Sequence, residues 1–251
     1  MDSTKSKTGL DKEQLISGEF SYLLEKLLKA IKDYKMISSG DKIMVAVSGG
    51  KDSLTAMHLL DYIQKKKIID FKILACNVEL GYGCANREHL KEHLDTYQIE
   101  HVFVDQNILE GKERSDIDCF WCSWNRRKAL FKTAGEFNCN KISLGHHKDD
   151  IVHTTLMNLF FYGEISTSPA SVELFNKTLT LIRPICYINE EETKKFAKTM
   201  NMPIPCCSCP QKPTSKRTLI KEVFSPLFDD IPSPRDNIYQ ALQDLAKKRR
   251  F

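Results

Sequence analysis

The sequence lacks any long apolar run. No segment approaches the roughly 20 consecutive apolar residues that a helix needs to cross a bilayer. The polar stretch over residues 1–18 also lacks the apolar core of a secretory signal peptide. With 41% hydrophobic and 28% charged residues, the 251-residue chain has the composition of an ordinary soluble globular protein. We therefore expect a cytoplasmic protein with no membrane partner.

A strong excess of one charge is also absent. The formal net charge is +4, from 37 basic and 33 acidic residues. Such a mild excess permits a nucleic-acid partner without demanding one. Basic residues cluster locally at 126–128, 212–217 and 247–250, and each cluster by itself is typical of a solvated helix face or terminus. The charge therefore does not indicate which kind of partner the protein binds.

Disulfides are a poor explanation for the cysteines, because their number is odd and the chain looks intracellular. Metal binding or catalysis accounts for them better. The nine are Cys76, Cys84, Cys119, Cys122, Cys139, Cys186, Cys206, Cys207 and Cys209.

Short apolar runs alternate with amphipathic segments along most of the chain. Strands are predicted at 42–47, 71–80, 101–105, 141–144 and 179–182, and helices at 20–34, 52–65, 86–97, 125–137, 149–161 and 190–200. This alternation indicates an α/β fold with a doubly wound, mostly parallel sheet. After residue 203 a Cys/Pro-rich loop precedes helices near 218–224 and 237–247. We divide the chain into an N-terminal tail and helix (1–38), an α/β domain (39–202) and a C-terminal region (203–251).

The segment between the first predicted strand and the next helix reads SGGKDS, residues 48–53. Gly49 and Gly50 let the backbone approach a phosphate, and the following helix points its N–H groups at it. Lys51 adds positive charge, whereas Asp52 fits beside phosphate mainly when Mg²⁺ is present. The spacing is not that of a Walker loop. The predicted phosphate-binding residues are Ser48, Gly49, Gly50, Lys51, Asp52 and Ser53, and the family resemblance described below makes them ATP-binding residues.

Two groups of cysteines have metal-ligand spacing. Cys119 and Cys122 form a C-x-x-C, and Cys206, Cys207 and Cys209 form a second group further along the chain. Thiolates two residues apart can converge on one soft metal. The spacing fits structural zinc and an iron–sulfur cluster equally well.

The segment LGHHKDD, residues 144–150, joins a predicted strand to a helix. A helix cap explains one of its carboxylates. Two histidines beside two aspartates at a sheet edge are typical of a satisfied helix cap with exposed histidines, and equally of contacts to a nucleotide or Mg²⁺. The candidates for such contacts are His147 and Asp150, with Asp149 as a further candidate, and the family resemblance described below favours this assignment.

A basic pair and two tryptophans surround the C-x-x-C. Arg126 and Arg127 are candidates for binding phosphates, and a solvated helix face is the alternative. Trp121 and Trp124 are able to stack on a flipped base. We expect them instead to pack around the cysteine loop.

VAVSGGKDS resembles the signature of the PP-loop (N-type) ATP pyrophosphatases. The order CFWCSWNRRKALF, then NKISLGHHKDDIVHTTLMNLFFYG, then LIRPICYINEEE and MPIPCCSC resembles the TtcA-type tRNA 2-thiocytidine synthetases. This resemblance runs from about residue 20 to residue 225. A family stretch similar to MPPK is replaced here by STSPAS, residues 166–171.

The resemblance implies an adenine nucleotide alpha hydrolase-like fold, with residues 39–202 as the ATP pyrophosphatase domain. It implies catalytic roles for Lys51, Asp52 and Asp150, and ATP and Mg²⁺ as cofactors. It also implies a [4Fe–4S] cluster held by three cysteines. Cys119 and Cys122 match two of them, and the third falls on Cys206, with Cys207 or Cys209 as the alternatives.

The implied activity is ATP-dependent tRNA thiolation. The C2 carbonyl oxygen of an anticodon-loop cytidine attacks ATP, pyrophosphate leaves, and sulfur delivered through the cluster then replaces the adenylated oxygen. The implied partners are tRNA, a sulfur donor such as a cysteine desulfurase, and a second copy in a homodimer. The alternatives are a thiolase acting on another base, a lysidine-type ligase, and a zinc-stabilised nucleotide- or RNA-binding protein without catalysis.

Overall fold

The computed structural model describes residues 18–81, 87–109, 117–204 and 215–248. Within these ranges the strands are β1 (Lys42–Ala46), β2 (Lys72–Glu79), β3 (His101–Asp105), β4 (Lys141–Leu144), β5 (Ser171–Leu174) and β6 (Leu179–Ile182). The helices are α1 (Gly18–Asp33), α2 (Lys51–Lys65), α3 (Arg87–Thr96), α4 (Cys119–Glu136), α5 (Lys148–Tyr162), α6 (Glu190–Thr199), α7 (Lys216–Asp230) and α8 (Pro234–Lys248). None of these helices is long and apolar enough to cross a membrane.

The six strands form one sheet in the order β3-β2-β1-β4-β6-β5. Strands β1, β2, β3, β4 and β6 are parallel, and β5 pairs antiparallel with β6 at one edge. The predicted doubly wound, mostly parallel sheet is therefore confirmed. Strand β5 was not predicted, because its four residues carry too little hydrophobic pattern to indicate a strand without the neighbouring β6.

Alternating side chains of β1 divide the core between the two faces of the sheet. Ile43 and Val45 belong to the larger apolar cluster, which also contains residues of α1, α2 and α6. Met44 lies in a second cluster on the other face, with Leu130 and Ala134 of α4. This division follows from the two-residue period of a strand. The sheet is thus covered by helices on both faces.

The C-terminal helices pack onto the α/β body. Phe228 of α7 and Tyr239 of α8 belong to the larger apolar cluster. The side-chain amide of Gln243 donates to the hydroxyls of Tyr34 and Tyr187, at 2.9 and 3.2 Å. These contacts place α7 and α8 beside the carboxyl ends of β1 and β4. The division of the chain into three parts stays a prediction.

The start of α4 differs from the prediction. The helix begins at Cys119 rather than at Asn125, so the C-x-x-C occupies its first turn and does not form a loop. The cause is a helix cap that was not recognised in the sequence: the Asp118 carboxylate accepts a hydrogen bond from the Trp121 N–H at 2.6 Å. The expectation that the tryptophans pack around a cysteine loop is wrong for the same reason.

Candidate active site

The two predicted ATP-binding segments meet at one point of the sheet edge. Strands β1 and β4 are neighbours, with Ala46 paired to Leu144 at their carboxyl ends. Sheet order reverses between these two strands, and open α/β sheets bind ligands at such a switch point. Residues 48–53 follow β1 and residues 145–150 follow β4, so both loops open onto the same crevice.

The loop over residues 48–53 is a closed turn. The Ser53 hydroxyl donates to the Gly50 carbonyl at 2.9 Å and accepts from the Ser48 N–H at 3.1 Å. Gly49 has a φ of 83°, a left-handed conformation that favours glycine. Gly50 caps α2 without any side-chain hydrogen bond to the first turn. The helix N-terminus therefore offers its backbone N–H groups to an anion.

Gly145 permits a close approach between β4 and α2. A Cβ atom at this position would lie 2.6 Å from the Ser53 Cα and 2.7 Å from the Ser53 nitrogen. Backbone atoms cannot yield as a flexible side chain does, so any larger residue would push the phosphate loop away. The sequence analysis included Gly145 in the LGHHKDD segment but gave it no role.

Three side chains hold the carboxylate of Asp52. Lys51 Nζ lies 2.8 Å from both of its oxygens, and the Thr193 hydroxyl donates to Oδ1 at 2.5 Å. His147 Nε2 lies 3.8 Å from the same oxygen. Thr193 is fully buried on α6. Asp52 is thus aimed across the crevice from α2 towards α6.

His147 is the N-cap of α5 and is buried. Its Nδ1 accepts from the Asp150 N–H at 3.3 Å, and the Asp150 carboxylate accepts from the His147 N–H at 3.2 Å. This reciprocal pair is a capping box. The structure therefore brings His147, Asp150 and Asp52 together, and it gives His147 a positioning contact that the motif alone did not reveal. Binding of ATP by these residues stays a prediction.

Basic residues of the two C-terminal helices neutralise the acidic groups of the crevice. Arg217 Nη1 lies 3.0 Å from Asp150 Oδ1, and Arg235 Nε lies 2.8 Å from Oδ1 of the buried Asp149. Asp149 also accepts from the Glu190 N–H at 2.8 Å. Sequence analysis noted Arg217 only within a basic cluster and missed Arg235, because no local pattern links either arginine to its distant partner.

Glu190 joins the C-terminal helices to the phosphate loop. Lys221 Nζ donates to both of its carboxylate oxygens at 2.8 and 2.7 Å, and Lys51 Nζ lies 3.6 Å from Oε1. Burial disfavours the charged form, but the hydrogen bond and charge of Lys221, together with Lys51 and Lys194, lower the pKa of Glu190 to about 2. Glu190 is therefore a carboxylate at neutral pH.

His146, the residue before His147, accepts a hydrogen bond from Arg183. Arg183 Nε donates to His146 Nδ1 at 3.0 Å. Burial lowers the pKa of His146 to about 4, so the imidazole is neutral and able to accept this bond. Burial and then the charge of Arg127 lower the pKa of Arg183.

The cysteines fall into two chemical classes. Cys119 is exposed and Cys122 half-buried, in the first turn of α4, and neither is in a disulfide. Burial raises the pKa of Cys76 and Cys186 to about 12 and raises that of Cys139, so these three thiols stay protonated. Cys84, Cys206, Cys207 and Cys209 lie outside the described residues.

The positions of Cys119 and Cys122 fit a cluster-binding role. Residues three apart on a helix face the same side, so two reachable thiols point the same way. Among the described ranges no three His, Cys, Asp or Glu side chains stand ready to hold a metal ion. A third cysteine ligand would come from outside the described ranges, where Cys84, Cys206, Cys207 and Cys209 lie.

Comparisons with known proteins identify the family of this chain. A family model described as a PP-loop domain matches residues 20–224. The chain is 34% identical over 232 residues to the tRNA-cytidine(32) 2-sulfurtransferase of Citrifermentans bemidjiense, covering 90% of this chain and 91% of that protein. It is 34% identical over 239 residues to the enzyme of the same name from Geotalea uraniireducens, covering 91% and 93%.

Among solved structures, the chain is similar to the U34-tRNA thiolase NcsA from Methanococcus maripaludis, described with its [4Fe–4S] cluster. The TM-score is 0.74 at 23% identity, covering 91% of this chain and 79% of that one. At this identity the likeness shows a shared fold. Together with the matches above, it confirms the family and the fold expected from the sequence. The chain belongs to the PP-loop family, within the group formed by the tRNA-cytidine(32) 2-sulfurtransferases.

Proposed function

We propose that this protein is an ATP-dependent tRNA sulfurtransferase that converts an anticodon-loop cytidine to 2-thiocytidine. The observation that carries the proposal is the meeting of residues 48–53 and 145–150 at the switch point between β1 and β4. The curated relatives are named for cytidine 32 of tRNA, which supports that base as the substrate. Such a reaction belongs in the cytoplasm, where the sequence analysis places the protein.

ATP would bind with its terminal phosphates against the first turn of α2. The uncapped helix N-terminus at Gly50 and the ammonium of Lys51 both attract phosphate. Asp52 and Asp150 are the candidates to hold Mg²⁺ together with the phosphates, since Mg²⁺ is usually bound by one or two carboxylates plus substrate oxygens. Arg217 and Lys221, now paired with acidic groups, lie close enough to exchange those partners for phosphate.

The first chemical step converts the C2 oxygen of the cytidine from a poor leaving group into a good one. The C2 carbonyl oxygen of the cytidine attacks the α-phosphorus of ATP, a P–O bond forms, and pyrophosphate leaves with the β- and γ-phosphates. Lys51 stabilises the negative charge that develops on the phosphates. In the second step a sulfur nucleophile forms a bond to C2, the C2–O bond breaks, and AMP leaves.

Cys119, Cys122 and a third cysteine would hold a [4Fe–4S] cluster. We assign the third position to Cys206, with Cys207 or Cys209 as the alternatives. When bound, such a cluster supplies an iron that presents sulfur as a nucleophile. The protein's own contribution is to place Cys119 and Cys122 in the first turn of α4.

The test combines metal analysis with nucleoside analysis. The protein is purified without oxygen, and iron, acid-labile sulfide and zinc are measured for the wild type, Cys119→Ala, Cys122→Ala and Cys206→Ala. Cys139→Ala is the matched control, because that buried cysteine lies away from the first turn of α4. We expect iron and sulfide near one cubane cluster per chain, lost in the three ligand variants and kept in the control.

Nucleosides are then analysed from tRNA incubated with ATP, Mg²⁺, a cysteine desulfurase with cysteine, and a dithiol reductant that supplies the two electrons needed to reduce the persulfide sulfur. We expect 2-thiocytidine with the wild type and none with Lys51→Ala, which should keep its cluster. Stoichiometric zinc without sulfide would remove the cluster from the proposal. Sulfur found in a different base would reassign the substrate, and sedimentation of the same samples tests the expected homodimer.

A further inference from the structure

The first turns of α4 expose three aromatic side chains within five residues. Phe120 is 73% exposed, Trp121 38% and Trp124 45%. Monomeric proteins rarely leave a cluster of large apolar side chains in water unless it serves an interaction. The inward side of the same helix carries Leu130 and Ala134, which belong to the apolar cluster on one face of the sheet.

The two tryptophans form an ordered pair. Their ring centroids are 5.8 Å apart and their planes differ by 23°, so the rings stack on one another. Trp121, Trp124 and Lys128 follow at helical positions i, i+3 and i+7, which places them along one stripe of α4. Lys128 Nζ lies 5.4 Å from the Trp124 ring centroid, within the range of a cation–π contact. The stripe thus combines flat rings with a fixed positive charge.

The charge around the rings indicates the chemistry of the partner. Arg126, Arg127 and Lys128 are consecutive and exposed. Arg127 also influences Arg183, which binds His146 at the edge of the candidate ATP site. Aromatic faces interleaved with cations suit unpaired nucleotides, because bases stack on the rings while phosphates pair with the basic side chains. A purely apolar protein partner would leave these cations buried and uncompensated.

We propose that Trp121 and Trp124 form a stacking platform for an unpaired base of the tRNA loop that lies next to the modified nucleotide. The platform sits on the helix that carries Cys119 and Cys122, so a base held there would fix the loop beside the thiolation site. This inference rests on the proposed function for the identity of the RNA. It goes further because it assigns two residues that would distinguish an unpaired loop from a duplex.

The chain offers a direct signal for the test, since Trp121 and Trp124 are its only two tryptophans. Intrinsic fluorescence of the full-length protein, purified without oxygen, is titrated with an anticodon stem–loop RNA and with a fully paired duplex of the same length. We expect the stem–loop to quench tryptophan emission and the duplex to leave it nearly unchanged. Equal quenching by both RNAs would overturn the proposal.

Affinity for labelled stem–loop RNA is then measured by fluorescence anisotropy. The double variant Trp121→Ala, Trp124→Ala should bind at least about tenfold more weakly, because stacking on an aromatic side chain strengthens binding by that order for each base. The matching double Phe variant should bind within about threefold of the wild type, since phenylalanine keeps a flat ring. Phe160→Ala, which removes a similarly exposed ring on α5, is the control and should bind normally.

The same variants separate this inference from the proposed function. ATP binding should be unchanged in the double Ala variant, because both tryptophans lie on α4 whereas the phosphate loop precedes α2. Iron content is measured in the same samples, since Trp121 lies between Cys119 and Cys122, and RNA affinities are compared at equal iron content. Unchanged RNA affinity in that variant refutes the platform even if the wild type thiolates tRNA. Failure of the wild type to thiolate refutes the proposed function, while the affinity difference still reports on the platform.

Discussion

Lys221 Nζ donates to both carboxylate oxygens of Glu190, at 2.8 and 2.7 Å. This pair links α7 to the start of α6, and Glu190 in turn lies 3.6 Å from the ammonium of Lys51. Lys221 and Lys51 therefore share one carboxylate. Because the pair holds the pKa of Glu190 at about 2, the negative charge is permanent at neutral pH, and Lys221 limits its pull on Lys51. Through Glu190, Lys221 of α7 therefore alters the electrostatic environment of Lys51 in the phosphate loop.

Replacing Lys221 with Ala should weaken ATP binding. The change removes a cation from the crevice and leaves Glu190 to hold Lys51 away from phosphate, so we expect KM for ATP in pyrophosphate release to rise about tenfold, or about 1.4 kcal/mol. Lys216→Ala is the matched control. It makes the same charge change on the same helix, but Lys216 contacts the Tyr162 hydroxyl and the Phe161 ring rather than the crevice. Equal rises in both variants would point to a general charge effect.

Replacing Thr193 with Val should disturb Asp52 while keeping the size of the side chain. Thr193 is fully buried, and its hydroxyl donates to Asp52 at 2.5 Å. Without that bond the Asp52 carboxylate keeps only Lys51 as a close hydrogen-bond donor and is less firmly aimed into the crevice, so pyrophosphate release should require several-fold more Mg²⁺. Thr193→Ser keeps the hydroxyl and should restore the wild-type Mg²⁺ dependence. A Val variant with an unchanged Mg²⁺ requirement would argue against Asp52 as a ligand.

Replacing Gly145 with Ala should displace the phosphate loop. The new Cβ would lie 2.6 Å from the Ser53 Cα, and relieving that overlap requires backbone movement. We expect a loss of about 1–3 kcal/mol in the free energy of unfolding, measured by urea denaturation, together with a raised KM for ATP. Gly135→Ala makes the same change in α4, where a Cβ meets nothing within 4 Å. That control should be neutral or stabilising by up to about 1 kcal/mol.

Local sequence patterns were sufficient to predict where the crevice forms. Apolar runs placed β1 and β4, and parallel strands deliver their following loops to one edge, so the placement of residues 48–53 beside residues 145–150 follows from sequence. The residues that contact these groups do not follow from the sequence. Thr193 and Lys221 meet Asp52 and Glu190 only because α6 and α7 pack at that edge, and a helical pattern indicates which face is buried without naming what it contacts.

Short local signals explain the remaining differences. The Asp118 cap determines where α4 begins, yet a single aspartate before Cys119 is a weak sign of a helix start. Strand β5 depends on pairing with β6 across a turn in which Phe175, Asn176 and Lys177 all have positive φ. Non-glycine residues rarely adopt that conformation, so residue types alone do not indicate the turn.

The buried pair His58 and His93 should make folding sensitive to acid. The Nε2 atoms lie 2.8 Å apart between α2 and α3, beside Tyr97, and one ring must be neutral to accept the hydrogen bond. Burial, followed by the charges of His93 and Lys65, lowers the pKa of His58 from 6.5 to about 3. Burial lowers that of His93 to about 4. Both rings are therefore neutral in the folded protein over a range where the unfolded chain takes up protons.

This difference sets the direction of the pH effect. Since the unfolded state binds more protons below pH 6.5, the free energy of unfolding should be highest above that pH and should fall as the pH drops towards the folded pKa values. The slope due to His58 reaches about 1.4 kcal/mol per pH unit. His58→Phe keeps a ring against Tyr97 and should flatten the slope in urea denaturation, whereas the same change at exposed His89 on α3 should not. An equally steep slope in the His58 variant would show that acid sensitivity arises elsewhere.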